Sequence, residues 1–153
     1  MTNDGPEWSI RSVLISVKDL DRSSAFYRDV MNLQELHREE QLAVLATSAT
    51  GSMLLYLRLA YRSAVHSGQQ ALGVRALSCD VGSFAALDRV EERLRALGAF
   101  INREIIEGPE RFEVVRGHDP DRLPLALVAQ QPGRTMSSAD NEKVWSGLYG
   151  VDV

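Results

Sequence analysis

The 153-residue chain has one cysteine, Cys79, so no internal disulfide can form and the core must hold without covalent staples. That usage fits a reducing compartment, and a cytoplasmic protein is expected. No run of about 18 apolar residues occurs, so no membrane-spanning helix is expected. Basic residues are in the minority, with 17 Lys and Arg against 21 Asp and Glu and a net charge of -4. They do not cluster, so nothing marks a nucleic-acid surface. The opening MTNDGPEWS is polar and acidic and lacks the basic and apolar regions of a secretory signal. Hydrophobic residues at 44% and charged residues at 25% then describe a globular domain and exclude a disordered or fibrous chain.

What the chain does have is one pattern used twice. SVLISVKDLDRSSAFYRDVM at 12–31 and GVRALSCDVGSFAALDRVEERLRAL at 73–97 each open with a strand-like run ending in an acidic residue, Asp19 or Asp80. Each then turns helical. Phe26, Tyr27, Val30 and Met31 form one apolar stripe, and Leu87, Val90, Leu94 and Leu97 another. Asp19 and Ser83 are the expected N-caps, and Asn32 and Gly98 the expected left-handed stops. Three strand-like runs follow each helix, at 33–41, 42–49 and 53–60, then at 100–106, 112–116 and 124–129. The expected order is therefore strand, helix and three strands, twice over: an α+β fold of two βαβββ modules, at about 8–62 and 72–130. Residues 131–153 read as a loop-like tail carrying Trp145, Leu148 and Tyr149, which either pack as a terminus or dock on a partner subunit.

VKDLDRSSAFYRDVMNL at 17–33 and HDPDRLPLAL at 118–127 resemble the FY-containing first helix and the Asp-Pro turn of the vicinal oxygen chelate superfamily. That group includes glyoxalases, extradiol dioxygenases and bleomycin-resistance proteins. The resemblance spans about residues 8–130. It implies curved mixed sheets around a shared cleft, a ligand or metal in that cleft, and a homodimer. Chemistry on this fold varies, so the fold alone does not choose a reaction.

Members that hold a divalent metal commonly do so with His, Gln or Glu, one at the start of each module's first strand and the others on each module's last strand. Carried onto this chain, those positions are Ser12, Gly73, Ala126 and Tyr56 or Arg58. Glycine and alanine have no donor, and arginine repels a cation. No metal and no cofactor are therefore expected at this set. His37, His66 and His118 share no short ligand spacing, although residues distant in sequence can still meet in space.

Strand alternation predicts what lines the cleft instead. Ser12, Leu14 and Ser16 share one face of the first strand, with Val13, Ile15 and Val17 turned to the helices. Leu54, Tyr56 and Arg58 share a face of the fourth strand. Gly73, Arg75, Leu77 and Cys79 are assigned to the cleft on the fifth, and Ala126 and Val128 on the eighth. Mostly apolar walls with a few polar groups suit a small molecule. Arg58 and Arg75 can grip a carboxylate or phosphate, with Tyr56 against a ring. The expected function is metal-independent binding or sequestration of a small, anionic organic molecule, resembling the bleomycin-resistance branch. The alternative is a metal-dependent lyase, isomerase or oxygenase with a non-standard site.

Overall fold

A computed structural model describes residues 10–47, 53–65, 74, 76–107, 111–131 and 137–147. Its elements run β1 (Ser12–Val17), α1 (Leu20–Met31), β2 (Leu33–Arg38), β3 (Leu42–Thr47), β4 (Leu54–Leu59), β5 (Leu77–Asp80), α2 (Phe84–Ala96), β6 (Phe100–Ile106), β7 (Phe112–His118), β8 (Pro124–Gln130) and α3 (Ser138–Ser146). The first ten are the expected βαβββ order, twice. Each module makes one four-stranded mixed sheet, ordered β1-β4-β3-β2 and β5-β8-β7-β6. The first and last strands of each module pair in parallel, and the rest are antiparallel.

The helices begin and end where their sequence says they should. Asp19 accepts from the Arg22 amide at 2.9 Å, and Ser83 accepts from the Ala86 amide at 3.1 Å, so each cap satisfies an orphan N–H of the first turn. Asn32, at φ 54°, ends α1 in the left-handed conformation that asparagine tolerates better than most residues.

One apolar core joins the modules. Tyr27 and Val30 of α1, Leu87 and Leu94 of α2, Leu45 and Leu57 of the first sheet, and Leu125 and Leu127 of the second all belong to it. The helices lie against each other, and Arg93 of α2 donates to the Asp29 carbonyl of α1. On the second sheet Arg103 reaches Asp88 and Glu91 of α2 and Glu113 of β7, at 2.7–2.8 Å, tying the helix to its strands. These bonds hold the Glu91 carboxyl below its usual range.

The Asp-Pro turn locks the second module onto the first helix. Asp119 is fully buried, and its Oδ2 accepts from the Tyr27 hydroxyl at 2.9 Å. Its Oδ1 accepts from the amides of Asp121 and Leu123, each at 2.8 Å, which fixes the turn between β7 and β8. Asp121 then accepts from the Lys18 amide at 3.0 Å. Burial pushes the Asp119 carboxyl above its usual range against the opposing pull of these bonds. Burial, with Asp119 alongside, raises the Tyr27 phenol well above its own range.

The tail departs from expectation. Part of the stretch read as loop forms α3, because Ser137 caps it, accepting from the Asp140 amide at 3.2 Å, and Val144 finds an apolar surface to bury against. Trp145 packs beside it, whereas Leu148 and Tyr149 lie outside the described residues.

Replacing Tyr27 by Phe leaves the buried Asp119 short of one donor. The expected cost is about 1–3 kcal/mol at neutral pH, measured by urea unfolding. Ionised Asp119 needs that donor most, and its folded pKa is raised, so the deficit should narrow as pH falls through that raised range, before the ordinary carboxyl range is reached. At the other end, a phenol whose folded pKa is raised gives stability that is intact below the ordinary phenol range and lost as pH rises beyond it. The Phe variant should lack that alkaline component.

Candidate functional site

Each sheet has one face on the shared core and one turned away from the helices. On the first sheet the alternation holds. Val13, Ile15 and Val17 pack with the core, as do Leu55 and Leu57. The outward face carries Ser12 beside Leu54, Leu14 beside Tyr56 and Ser16 beside Arg58 through the parallel register of β1 and β4. Val44 of β3 flanks Tyr56 on the other side. Ser12, Leu14, Ser16 and Arg58 are exposed, Leu14 to 62%, while Leu54 and Tyr56 are half-buried. Arg58 has no carboxylate partner among the described residues. Among the described residues this face is apolar and hydroxyl-bearing and carries the Arg58 cation and the Tyr56 ring.

The second sheet requires a correction. Leu77 and Cys79 pack against the common core, on the helix side, because β5 pairs with β8 in the register Leu77–Leu125 and Cys79–Leu127. Ser78 and Asp80 take the outward face, beside Ala126 and Val128. The signal was in the composition of the strand: Leu77, Cys79 and Val81 are its apolar set and Ser78 and Asp80 its polar set. Counting forward from Gly73 put the phase off by one residue, and a one-residue slip exchanges the two faces. Gly73 and Arg75 lie outside the described residues. Burial pushes the Cys79 thiol up to about 11, so at neutral pH it is a protonated thiol packed against the core.

Ala126 and Val128 do lie on the outward face, but they are buried. With Ile106, Phe112 and Val114 they form a second apolar cluster beneath Val144 and Trp145 of α3. The two faces expected to line one cleft therefore stand in different surroundings: the first sheet's face is open, and the second sheet's is covered by the tail helix.

The structure also shows a residue that the sequence reading passed over. Arg116 of β7 is 1% exposed on the covered face. It donates to the Asn102 side-chain oxygen at 3.0 Å, to Glu104 at 2.7 Å, and to the carbonyls of Lys143 and Val144 in α3 at 2.9 and 3.1 Å. The clue was its position: it follows Phe112 and Val114 at two-residue steps, a charge on an otherwise apolar strand face.

Among the described residues, the carried-over ligand positions hold no carboxylate, imidazole or side-chain amide. Ser12 and Ala126 occupy two of the expected ligand positions, and Tyr56 and Arg58 offer no carboxylate or imidazole at a third. Among the described residues no three His, Cys, Asp or Glu side chains are grouped to hold a cation. His37 is exposed on β2 beside Glu39, and His118 sits at the end of β7 against the Asp119 carbonyl, in the other module. His66 lies outside the described residues.

Residues 9–126 match the family model described as the Glyoxalase/Bleomycin resistance protein/Dioxygenase superfamily. The chain belongs to that superfamily. No curated protein matches it. Among solved structures it is similar to a glyoxylase/bleomycin resistance protein/dioxygenase domain from Frankia sp., at 24% identity and a TM-score of 0.65, over 85% of this chain and 96% of that one. It is also similar to lactoylglutathione lyase from Agrobacterium tumefaciens (20% identity, TM-score 0.60, 82% and 96% covered). A third is a fosfomycin resistance protein from Listeria monocytogenes (18%, 0.57, 83% and 95%). At these identities the likeness is one of fold. The superfamily's metal-holding members do not transfer their ligand set to this chain, whose corresponding described positions lack the donors.

Protein purified without a metal-affinity tag should therefore carry only substoichiometric Mn, Fe, Ni or Zn by elemental analysis. One full equivalent, lost together with an activity on chelation, would show that a different set of side chains assembles a centre.

Proposed function

We propose that this chain binds a small organic molecule without a metal, in the manner of the bleomycin-resistance members of its superfamily. The observation that carries the reading is the outward face of β1 and β4. There the ligand positions of the fold hold Ser12 and Tyr56 or Arg58 in place of metal donors, and Arg58 has no carboxylate partner among the described residues. A guanidinium in that setting favours a carboxylate or phosphate, which it can meet with two parallel hydrogen bonds. Tyr56, flanked by Leu14 and Val44, offers a ring and an apolar floor for a flat molecule. Ser12 and Ser16 supply hydroxyls at the rim. The ligand is then a flat or apolar molecule bearing one anionic group, with Gly73 and Arg75 as further proposed contacts.

A homodimer in the cytoplasm belongs to the same proposal. An exposed sheet face is shallow, and a second copy set against it would supply the missing wall. The large exposed apolar residues Leu14 and Leu36 on the first module are consistent with such a contact.

Thermal-shift screening with planar aromatic carboxylates tests the reading. A true ligand at 100 times its dissociation constant should add about 2.7 kcal/mol of stability. Arg58→Met should weaken binding of such an anion by about 1 kcal/mol, a small value because Arg58 is solvent-exposed, and should affect neutral analogues less. Equal losses for anionic and neutral analogues would remove Arg58 from the site.

A further inference from the structure

We propose that α3 is an autoinhibitory helix. It occupies the outward face of the second sheet and is released by a molecule that takes over its contacts to Arg116.

The argument begins with what the helix covers. In the first module the outward face is open. In the second, Ala126 and Val128 stand where Tyr56 and Arg58 stand in the first, and Val144 and Trp145 are seated over them. The cover is a single nine-residue helix, too short to be stable in water by itself, so it persists only through its docking contacts. Among the described residues those contacts are specific. Apolar packing comes from Val144, which is 1% exposed, and from Trp145. Polar attachment comes from Arg116, which donates to the last-turn carbonyls of Lys143 and Val144 and so satisfies orphan acceptors of the helix C-terminus.

The chain leaving α3 is shaped to this arginine. A Cβ at Gly147 would overlap the Arg116 guanidinium, so any larger residue there requires either the helix end or the four-bonded arginine to move. Yet the attachment does not use everything the face offers. Gln130, at the end of β8 on the same face, donates to Asp80 at 3.3 Å, while its buried Oε1 has no partner among the described residues. Such an orphan acceptor is costly, and a bound donor would relieve it.

The chemistry of a displacing molecule follows from the contacts it must replace. It needs an apolar or aromatic body in place of Val144 and Trp145. It needs acceptor oxygens for the two Arg116 N–H groups that now meet carbonyls. A donor for Gln130 would add affinity that α3 does not have. When α3 leaves, Arg116 keeps Asn102 and Glu104 as partners, so its charge is not stranded. Only a molecule that binds the undocked state better than the docked one can drive the release.

The test follows Trp145 fluorescence in full-length protein carrying Trp8→Phe, with amide hydrogen exchange on β7 and β8. Gly147→Ala places a methyl against the guanidinium and should displace α3. Trp145 emission should shift to the red and become more quenchable by acrylamide, and 8-anilinonaphthalene-1-sulfonate, an aromatic with acceptor oxygens, should bind more than it does to the wild type. Ser137→Ala, which removes the cap without touching the sheet, should raise the undocked population about five-fold. In both variants β7 and β8 should keep their exchange protection. Arg116→Gln added to Ser137→Ala, whose undocking does not depend on a clash with Arg116, should lower the affinity for the dye, and Arg58→Met added to Ser137→Ala should leave that affinity unchanged, which separates this face from the one on the first sheet. Unchanged Trp145 emission and dye binding in both single variants would overturn the proposal. So would loss of β7 and β8 protection in Ser137→Ala, which would make α3 an inseparable part of the core, or dye affinity indifferent to Arg116.

Discussion

The bond between the Tyr27 hydroxyl and the Asp119 carboxylate holds the two halves of this protein in one arrangement. Both groups are buried, so neither has water to fall back on, and each is costly without the other. Asp119 also organises its own turn through two backbone amides. The same carboxylate thus closes the β7–β8 hairpin and docks it on α1. Apolar packing of α1 against α2 is compatible with many small slides and rotations. A buried hydrogen bond with a defined direction removes most of them, which is what the orientation of two outward-facing sheets requires.

That arrangement gives the two sheets different fates. Their inner faces are equivalent, each contributing alternate residues to the common core. Their outer faces are not. The first presents Leu14, Tyr56 and Arg58 to solvent, and the second is roofed by α3. The repeat is asymmetric because α3 and the buried Arg116 occupy one outer face. Arg116 is buried and already bonded to Asn102, Glu104 and two carbonyls of α3, whereas Arg58 is exposed. On the proposed reading, charge would govern ligand choice at the open face and displacement of existing contacts would govern it at the covered one.

Much of this was legible before any coordinates. The stripe Phe26–Tyr27–Val30, the caps Asp19 and Ser83 and the stop at Asn32 fixed both principal helices, because these are signals carried by residues within a turn or two of one another. Alternation on β1 and β4 assigned Leu14, Tyr56 and Arg58 to the outward face, since long regular strands leave little freedom in phase. The same rule failed on β5. Counting from Gly73 overrode the strand's own apolar set of Leu77, Cys79 and Val81, and pairing with Leu125 and Leu127 places Leu77 inside. The helix in the tail was missed for a different reason: α3 is weakly amphipathic and too short to hold itself, so its sequence advertises little beyond the Ser137 cap.

The amino-acid sequence by itself determined the α+β repeat, the core stripes and the absence of a carboxylate or imidazole at Ser12 and Ala126, because each depends on which side chain is present and on local spacing. Only the tertiary structure decided that Tyr27 meets Asp119 across 92 positions, that Arg116 ends beneath α3, and that one outer face is open while the other is covered. Those outcomes rest on contacts between segments far apart in the chain, and local propensity carries no information about which distant partner will satisfy a buried charge or an orphan carbonyl.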